Sequence, residues 1–220
     1  MKYRSVFDII GPVMIGPSSS HTAGAARIGR LARLLFGKEP KRADVHFYGS
    51  FAQTYRGHGT DVAIVGGLLD YDTYDERLPK SKEIAKEKGV RIYFHEEDLV
   101  TEHPNTVQLK LQEQEETMEI TGVSIGGGKI EITELNGFQL KLSGHYPALF
   151  VVHHDRQGTI AHVANTLAAQ GVNIGQMEMS RKEKGQEALM VIETDEVVED
   201  EVLNELEAFD HILQVARIYE

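Results

Sequence analysis

From Thr106 to Leu142 apolar and polar residues alternate with a period of two, a pattern that suits strands with one buried face and that no helix can use. Val107-Gln108-Leu109-Lys110-Leu111, Met118-Glu119-Ile120-Thr121-Gly122-Val123, Ile130-Glu131-Ile132-Thr133 and Phe138-Gln139-Leu140-Lys141-Leu142 each read as a strand. Gly126-Gly127-Gly128 and Asn136-Gly137 supply turns. The acidic but interrupted run Glu113 to Glu119 is expected as a solvated turn between strands. This stretch is therefore an antiparallel meander.

Upstream, Ser20 to Leu35 is expected as a helix, with a serine cluster as N-cap and Ile28, Leu31, Leu34 and Leu35 at helical spacing. Gly24, Ala25, Ala26 and Gly29 make one side of it small, so another backbone can pack closely there. Val45 to Tyr48 and Val90 to Phe94 read as strands, and Asp61 to Leu69 and Ser81 to Lys88 as helices. Leu142-Ser143-Gly144-His145-Tyr146-Pro147 reads as a linker. Beyond it the order is strand (148–153), helix (159–170), strands (173–180 and 187–193), helix (198–208) and strand (212–219), the βαββαβ order of a ferredoxin-like domain. The fold class is α+β, with an α+β domain over 1–145 and a second domain over 148–220.

The 220 residues hold 34 Asp and Glu against 23 Lys and Arg, a net charge of -11, which argues against a nucleic-acid surface. Residues 1–70 carry nine basic and five acidic side chains and are the only cationic third, so a small anion is expected to prefer them. No uncharged apolar run reaches a membrane span of about 18 residues. Met1-Lys2-Tyr3-Arg4 leads into Asp8 rather than into an apolar signal core, so the chain is expected to be cytoplasmic. The absence of cysteine excludes disulfides, thiol catalysis and zinc or iron–sulfur sites built from this chain's own thiolates.

Three segments can carry chemistry. In Gly16-Pro17-Ser18-Ser19-Ser20-His21-Thr22-Ala23-Gly24, hydroxyls enter a helix whose first N–H groups are unpaired, a site for carboxylate or phosphate. The plainer reading is an N-cap with more hydroxyls than one helix needs. In Tyr55-Arg56-Gly57-His58-Gly59-Thr60-Asp61, a histidine between glycines can approach a ligand and carry a proton, and Arg56 adds a fixed cation; the plainer reading is a glycine-rich turn with Thr60 or Asp61 capping a helix. In His153-His154-Asp155-Arg156-Gln157-Gly158-Thr159, with Asn173 beyond the next helix, a loop at a helix start can bind an amino acid, or simply turn the chain. His95 and His103 lack metal-motif spacing and are expected as solvated surface, and His145, His162 and His211 carry no spacing signal. Met177 and Met179 read as sheet packing.

The Ser-Ser-Ser-His and Gly-His-Gly-Thr motifs make residues 1 to about 145 resemble the beta chain of bacterial iron–sulfur-dependent L-serine dehydratase. Residues 148–220 resemble an ACT domain, similar to the serine-binding regulatory domain of 3-phosphoglycerate dehydrogenase. The resemblance implies an L-serine ammonia-lyase subunit that converts serine to pyruvate and ammonia, inactive without a cysteine-bearing alpha subunit that holds a 4Fe-4S cluster. It places Ser18, Ser19, Ser20, Thr22, Gly59 and Thr60 at the substrate and His21 and His58 at the active site, with His58 the better candidate for proton transfer. This chain supplies no metal ligand. The ACT ligand positions fall on His153, Asp155 and Asn173, and self-association through the ACT domain is implied. Asp155 stands where the dehydrogenase pattern has asparagine and Gln157 where it has proline; a carboxylate there repels an amino acid's carboxylate unless a cation or a changed ligand pose removes the conflict. The alternative is a non-catalytic sensor that binds serine or a similar small anion, because the front domain also resembles the allosteric substrate-binding domain of some 3-phosphoglycerate dehydrogenases.

Overall fold

The computed structural model describes residues 12–219 and divides the chain into two units, one up to Asn136 and one from Gly137. The opening residues, on which the expectation about a leader rests, lie outside the described ones. The 142–147 stretch belongs to the second unit: the Ser143 N–H and Oγ both donate to Glu193 Oε1, and the Thr194 N–H donates to Pro147 O.

In the first unit, helix α1 (Gly24–Phe36) continues from a π-helical turn at Ser19–Ala23. Strand β1 (Arg42–Tyr48) buries Ala43, Val45 and Phe47 on alternate positions. Helices α2 (Gly49–Thr54), α3 (Thr60–Leu68) and α4 (Ser81–Glu87) follow, then strands β2 (Arg91–Glu97), β3 (Thr106–Glu113), β4 (Glu116–Gly126) and β5 (Lys129–Leu135). The strands lie in the order β2-β1-β3-β4-β5, with β1 and β2 parallel and the other neighbours antiparallel. Val45, Leu109 and Ile120 pair across three of them and form one apolar row on the buried face.

The small side of α1 lies against α3. A Cβ on Gly29 would stand 2.4 Å from the Ile64 carbonyl oxygen, and one on Gly67 would stand 2.1 Å from that of Ala26. The crossing therefore needs glycine from both helices; sequence reasoning singled out Gly29 but not Gly67. Helix α3 buries Ala63, Ile64, Val65 and Leu68 on all sides, as a helix enclosed by neighbours must.

The second unit contains β6 (Phe138–Leu142), β7 (Ala148–His154), α5 (Thr159–Ala169), β8 (Ile174–Arg181), β9 (Glu187–Thr194), α6 (Asp200–Glu207) and β10 (Ile212–Ile218). After β6 this is the expected βαββαβ order, and the sheet β10-β7-β9-β8 is antiparallel throughout. Leu149, Val151, Met190 and Ile192 of its two central strands pack against Val163 and Leu167 of α5 and Val202 and Leu206 of α6. Met177 packs against this core, whereas Met179 is exposed. The whole is an α+β chain.

Local departures from the sequence expectation have local causes. The first helix begins as a π turn because the Ser18 carbonyl accepts from both the Thr22 N–H (2.9 Å) and the Ala23 N–H (3.2 Å). The short α2 was not expected. His95 is not simply solvated: its ring stacks on His46 at 4.3 Å and its Nε2 meets Asp44 at 3.1 Å. Among the described residues no helix is long and apolar enough to cross a membrane.

Candidate functional site

The three serines before α1 have different partners. Ser18 is the cap, its Oγ accepting the His21 N–H at 3.1 Å. The Ser19 carbonyl receives the Gly24 N–H. Ser20 Oγ lies 3.3 Å from Ser18 Oγ and 3.0 Å from His21 Nδ1. The other ring nitrogen of His21, Nε2, is 3.0 Å from Ser50 Oγ on α2. The imidazole thus has a hydroxyl at each nitrogen.

The Gly57-His58-Gly59 loop reaches the same place. Buried Thr22 donates its hydroxyl proton to the His58 carbonyl at 3.0 Å, and the His21 and His58 rings meet edge to face at 4.8 Å. His58 is exposed, while His21 is partly buried and also meets Phe51 at 5.3 Å. Burial, and then the charge of His58, hold the His21 pKa below the ordinary histidine value, so His21 is neutral at physiological pH. Gly59 takes the left-handed conformation that starts α3, and Thr60 is fully buried with its Oγ1 unpartnered among the described residues.

Several of the described cations are held by carboxylates. Arg56 turns to Glu96 at 3.4 Å and stacks on Tyr55. Arg30 pairs with Asp70 and Asp72, Arg42 with Asp44, and Lys82 with the buried Asp61. The polar groups at this turn are hydroxyls and N–H groups.

In the second unit, His153 is buried at the end of β7, its Nδ1 2.8 Å from the His154 carbonyl and its Nε2 unpartnered among the described residues. Asp155 is held by the Gly185 N–H and by Arg181 Nη1, both at 2.9 Å. These bonds, the Gly185 N–H first, keep its carboxyl below the usual aspartate range. Arg181 sets a cation beside this carboxylate. Asn173 is elsewhere: its Nδ2 donates to Asp195 at 2.6 Å, and its neighbour Ile174 pairs with Thr194, whereas His153 pairs with Ala188. Along β9 those two points are about 20 Å apart, so one chain does not bring the three positions together.

The Asp155 contacts set a pH dependence. A depressed folded pKa contributes stability above the unfolded value and loses it as pH falls through the folded one. Asp155→Asn should therefore lower the melting temperature of the chain at neutral pH, with the gap to wild type closing as the melts are taken into the acid range. A gap of constant size at every pH would contradict the assignment.

Residues 5–87 match the family model described as serine dehydratase beta chain, and residues 148–211 match the ACT domain model. The chain is 63% identical to the probable L-serine dehydratase beta chain of Bacillus subtilis, over 99% of both chains. The chain belongs to the serine dehydratase beta chain family. A beta chain from Peptoniphilus asaccharolyticus is 34% identical over 87% of each chain. The D-3-phosphoglycerate dehydrogenase of Bacillus subtilis is 26% identical, over 88% of this chain and 37% of that protein.

The donor set does not fit an iron–sulfur cluster in this family member, since the chain has no cysteine and, among the described residues, no three His, Asp or Glu side chains are grouped to hold a metal ion. The structure unites Ser18, Ser20, His21, Thr22 and His58. Sequence reasoning missed Ser50, whose one local signal is a glycine at the end of a strand followed by a hydroxyl.

Proposed function

We propose that the chain is the beta subunit of an L-serine ammonia-lyase, a cytoplasmic enzyme whose active site it completes together with a cysteine-bearing alpha subunit. The observation that carries this reading is the meeting of the Ser-Ser-Ser-His turn with the Gly-His-Gly-Thr loop, through the Thr22–His58 bond and the 4.8 Å ring contact. The reaction breaks the Cα–H and Cβ–O bonds of L-serine and releases water; the aminoacrylate that remains becomes the imine and hydrolyses to pyruvate and ammonia. The substrate carboxylate sits at the first turn, among Ser18, Ser19 and Ser20, where N–H groups and hydroxyls favour an anion. His58, exposed on its loop, is the general base that takes the α-proton. Neutral His21 lies beside it. Thr22, Gly59 and Thr60 shape the loop from behind. The 4Fe-4S cluster belongs to the alpha subunit, whose cysteines supply the thiolates this chain lacks.

The ACT unit regulates. Since His153 and Asp155 lie at one end of its sheet and Asn173 at the other, a self-associated pair, with one copy offering the first two and its neighbour the third, forms a complete ligand site.

The purified chain should show no deamination of L-serine, and anaerobic addition of the cluster-loaded alpha subunit should produce pyruvate and ammonia. Activity of the isolated chain, or none in the mixture, would overturn the reading.

A further inference from the structure

We propose that Ser50 is a positioning residue for His21, holding its ring in a fixed orientation beside His58. This rests on the catalytic reading above and adds a group that the two motifs do not contain.

Ser50 is far from His21 in sequence yet 3.0 Å from its Nε2, and its own place is closely determined. Its N–H donates to the Pro104 carbonyl at 2.7 Å, and its carbonyl accepts the Thr54 hydroxyl at 2.7 Å. Gly49, at φ 53°, runs so near Pro104 that a Cβ there would stand 2.6 Å from the Pro104 oxygen. Loop, strand end and helix therefore converge to present one hydroxyl to one nitrogen.

The partner at Nδ1 is less constrained. Ser20 is adjacent to His21 in the chain and shares its hydroxyl with Ser18. A neutral imidazole has one donor and one acceptor nitrogen, and a hydroxyl can serve either. Both contacts also survive protonation of the ring, because each hydroxyl can turn and accept. Ser50 at one nitrogen and Ser20 at the other thus hold the ring at both ends and fix its orientation.

This matters for the neighbouring group. The His21 ring meets the His58 ring edge to face at 4.8 Å, so the orientation that Ser50 fixes in one decides where the other rests. The groups facing His21 from the elements packed against it are Ser20 and Ser18 from its own turn, Ser50 and Phe51 from α2, and His58 from the loop before α3. Of these only His58 carries an ionisable ring.

The test uses the complex with the alpha subunit, comparing wild type with Ser50→Ala and Ser50→Thr. Ser50→Ala should lower kcat by about 10-fold to 100-fold while KM moves by less than about threefold. Ser50→Thr, which keeps the hydroxyl, should recover most of the rate. Ser50→Ala with the wild-type rate, equal losses of kcat in both variants, or a loss carried by KM instead of kcat, would overturn the proposal while the wild-type complex remained active. An inactive wild-type complex would instead overturn the catalytic reading beneath it.

Discussion

Replacing His58 by alanine should lower turnover of the complex with the alpha subunit by a factor of about one hundred to ten thousand, the range over which a positioned acid or base contributes. Assembly should not change. The ring of His58 is exposed, and the contact that holds its loop to the serine turn uses its backbone carbonyl, which accepts the Thr22 hydroxyl and survives the substitution. The loop is fixed further by the His58 N–H donating to Thr54 O and the Thr60 N–H donating to Tyr55 O, neither of which involves the imidazole. The measurement is pyruvate formation at saturating serine, with complex formation followed by size-exclusion chromatography. Unchanged turnover in an intact complex would remove His58 from the reaction; lost assembly would make its role one of docking.

Gly67→Ala should be the most damaging single-methyl change in the first unit. In a solvated helix that substitution gains about 1 kcal/mol of helix propensity. Here the added carbon would stand 2.1 Å from the Ala26 carbonyl oxygen and 2.5 Å from the Arg30 nitrogen, so α1 and α3 must separate. Overpacking of this kind costs about 1–3 kcal/mol, at the upper end where backbone must move, so after the propensity gain a net loss of about 2 kcal/mol is expected from a denaturant midpoint. Gly57→Ala is the control. Its new Cβ would meet nothing nearer than the Thr54 oxygen at 3.7 Å, and its midpoint should stay near that of wild type. Equal midpoints for the two variants would mean that the helices do not cross at the observed distance.

The parts of the fold that were legible are those whose signal is local and periodic. Strands β3, β4 and β5 announce themselves because each buries one face, so their apolar residues must alternate. The βαββαβ order after the Gly-Pro stretch is legible for the same reason, as each element carries its own period and its own turn. The serine turn is legible as a helix start because a hydroxyl there can cap a first-turn N–H, as Ser18 does.

Tertiary structure alone decided the rest. Helix α2 is too short to show a period, so neither it nor Ser50 stood out. The place of Ser50 depends on Gly49 approaching Pro104, a contact between segments separated by two helices and a strand. The neutral state of His21 depends on burial and on a second histidine from another loop, and composition contains neither. In the ACT unit the residues of one motif were legible, but the opposite strand registers of His153 and Asn173 were not. By itself the sequence determined which residues could do chemistry and that no cluster could be held by this chain's thiolates, because residue types and absences are one-dimensional facts. Which of those residues meet, and which nitrogen faces which hydroxyl, was decided by packing, because contacts between distant segments exist only once the helices and sheet have closed on one another.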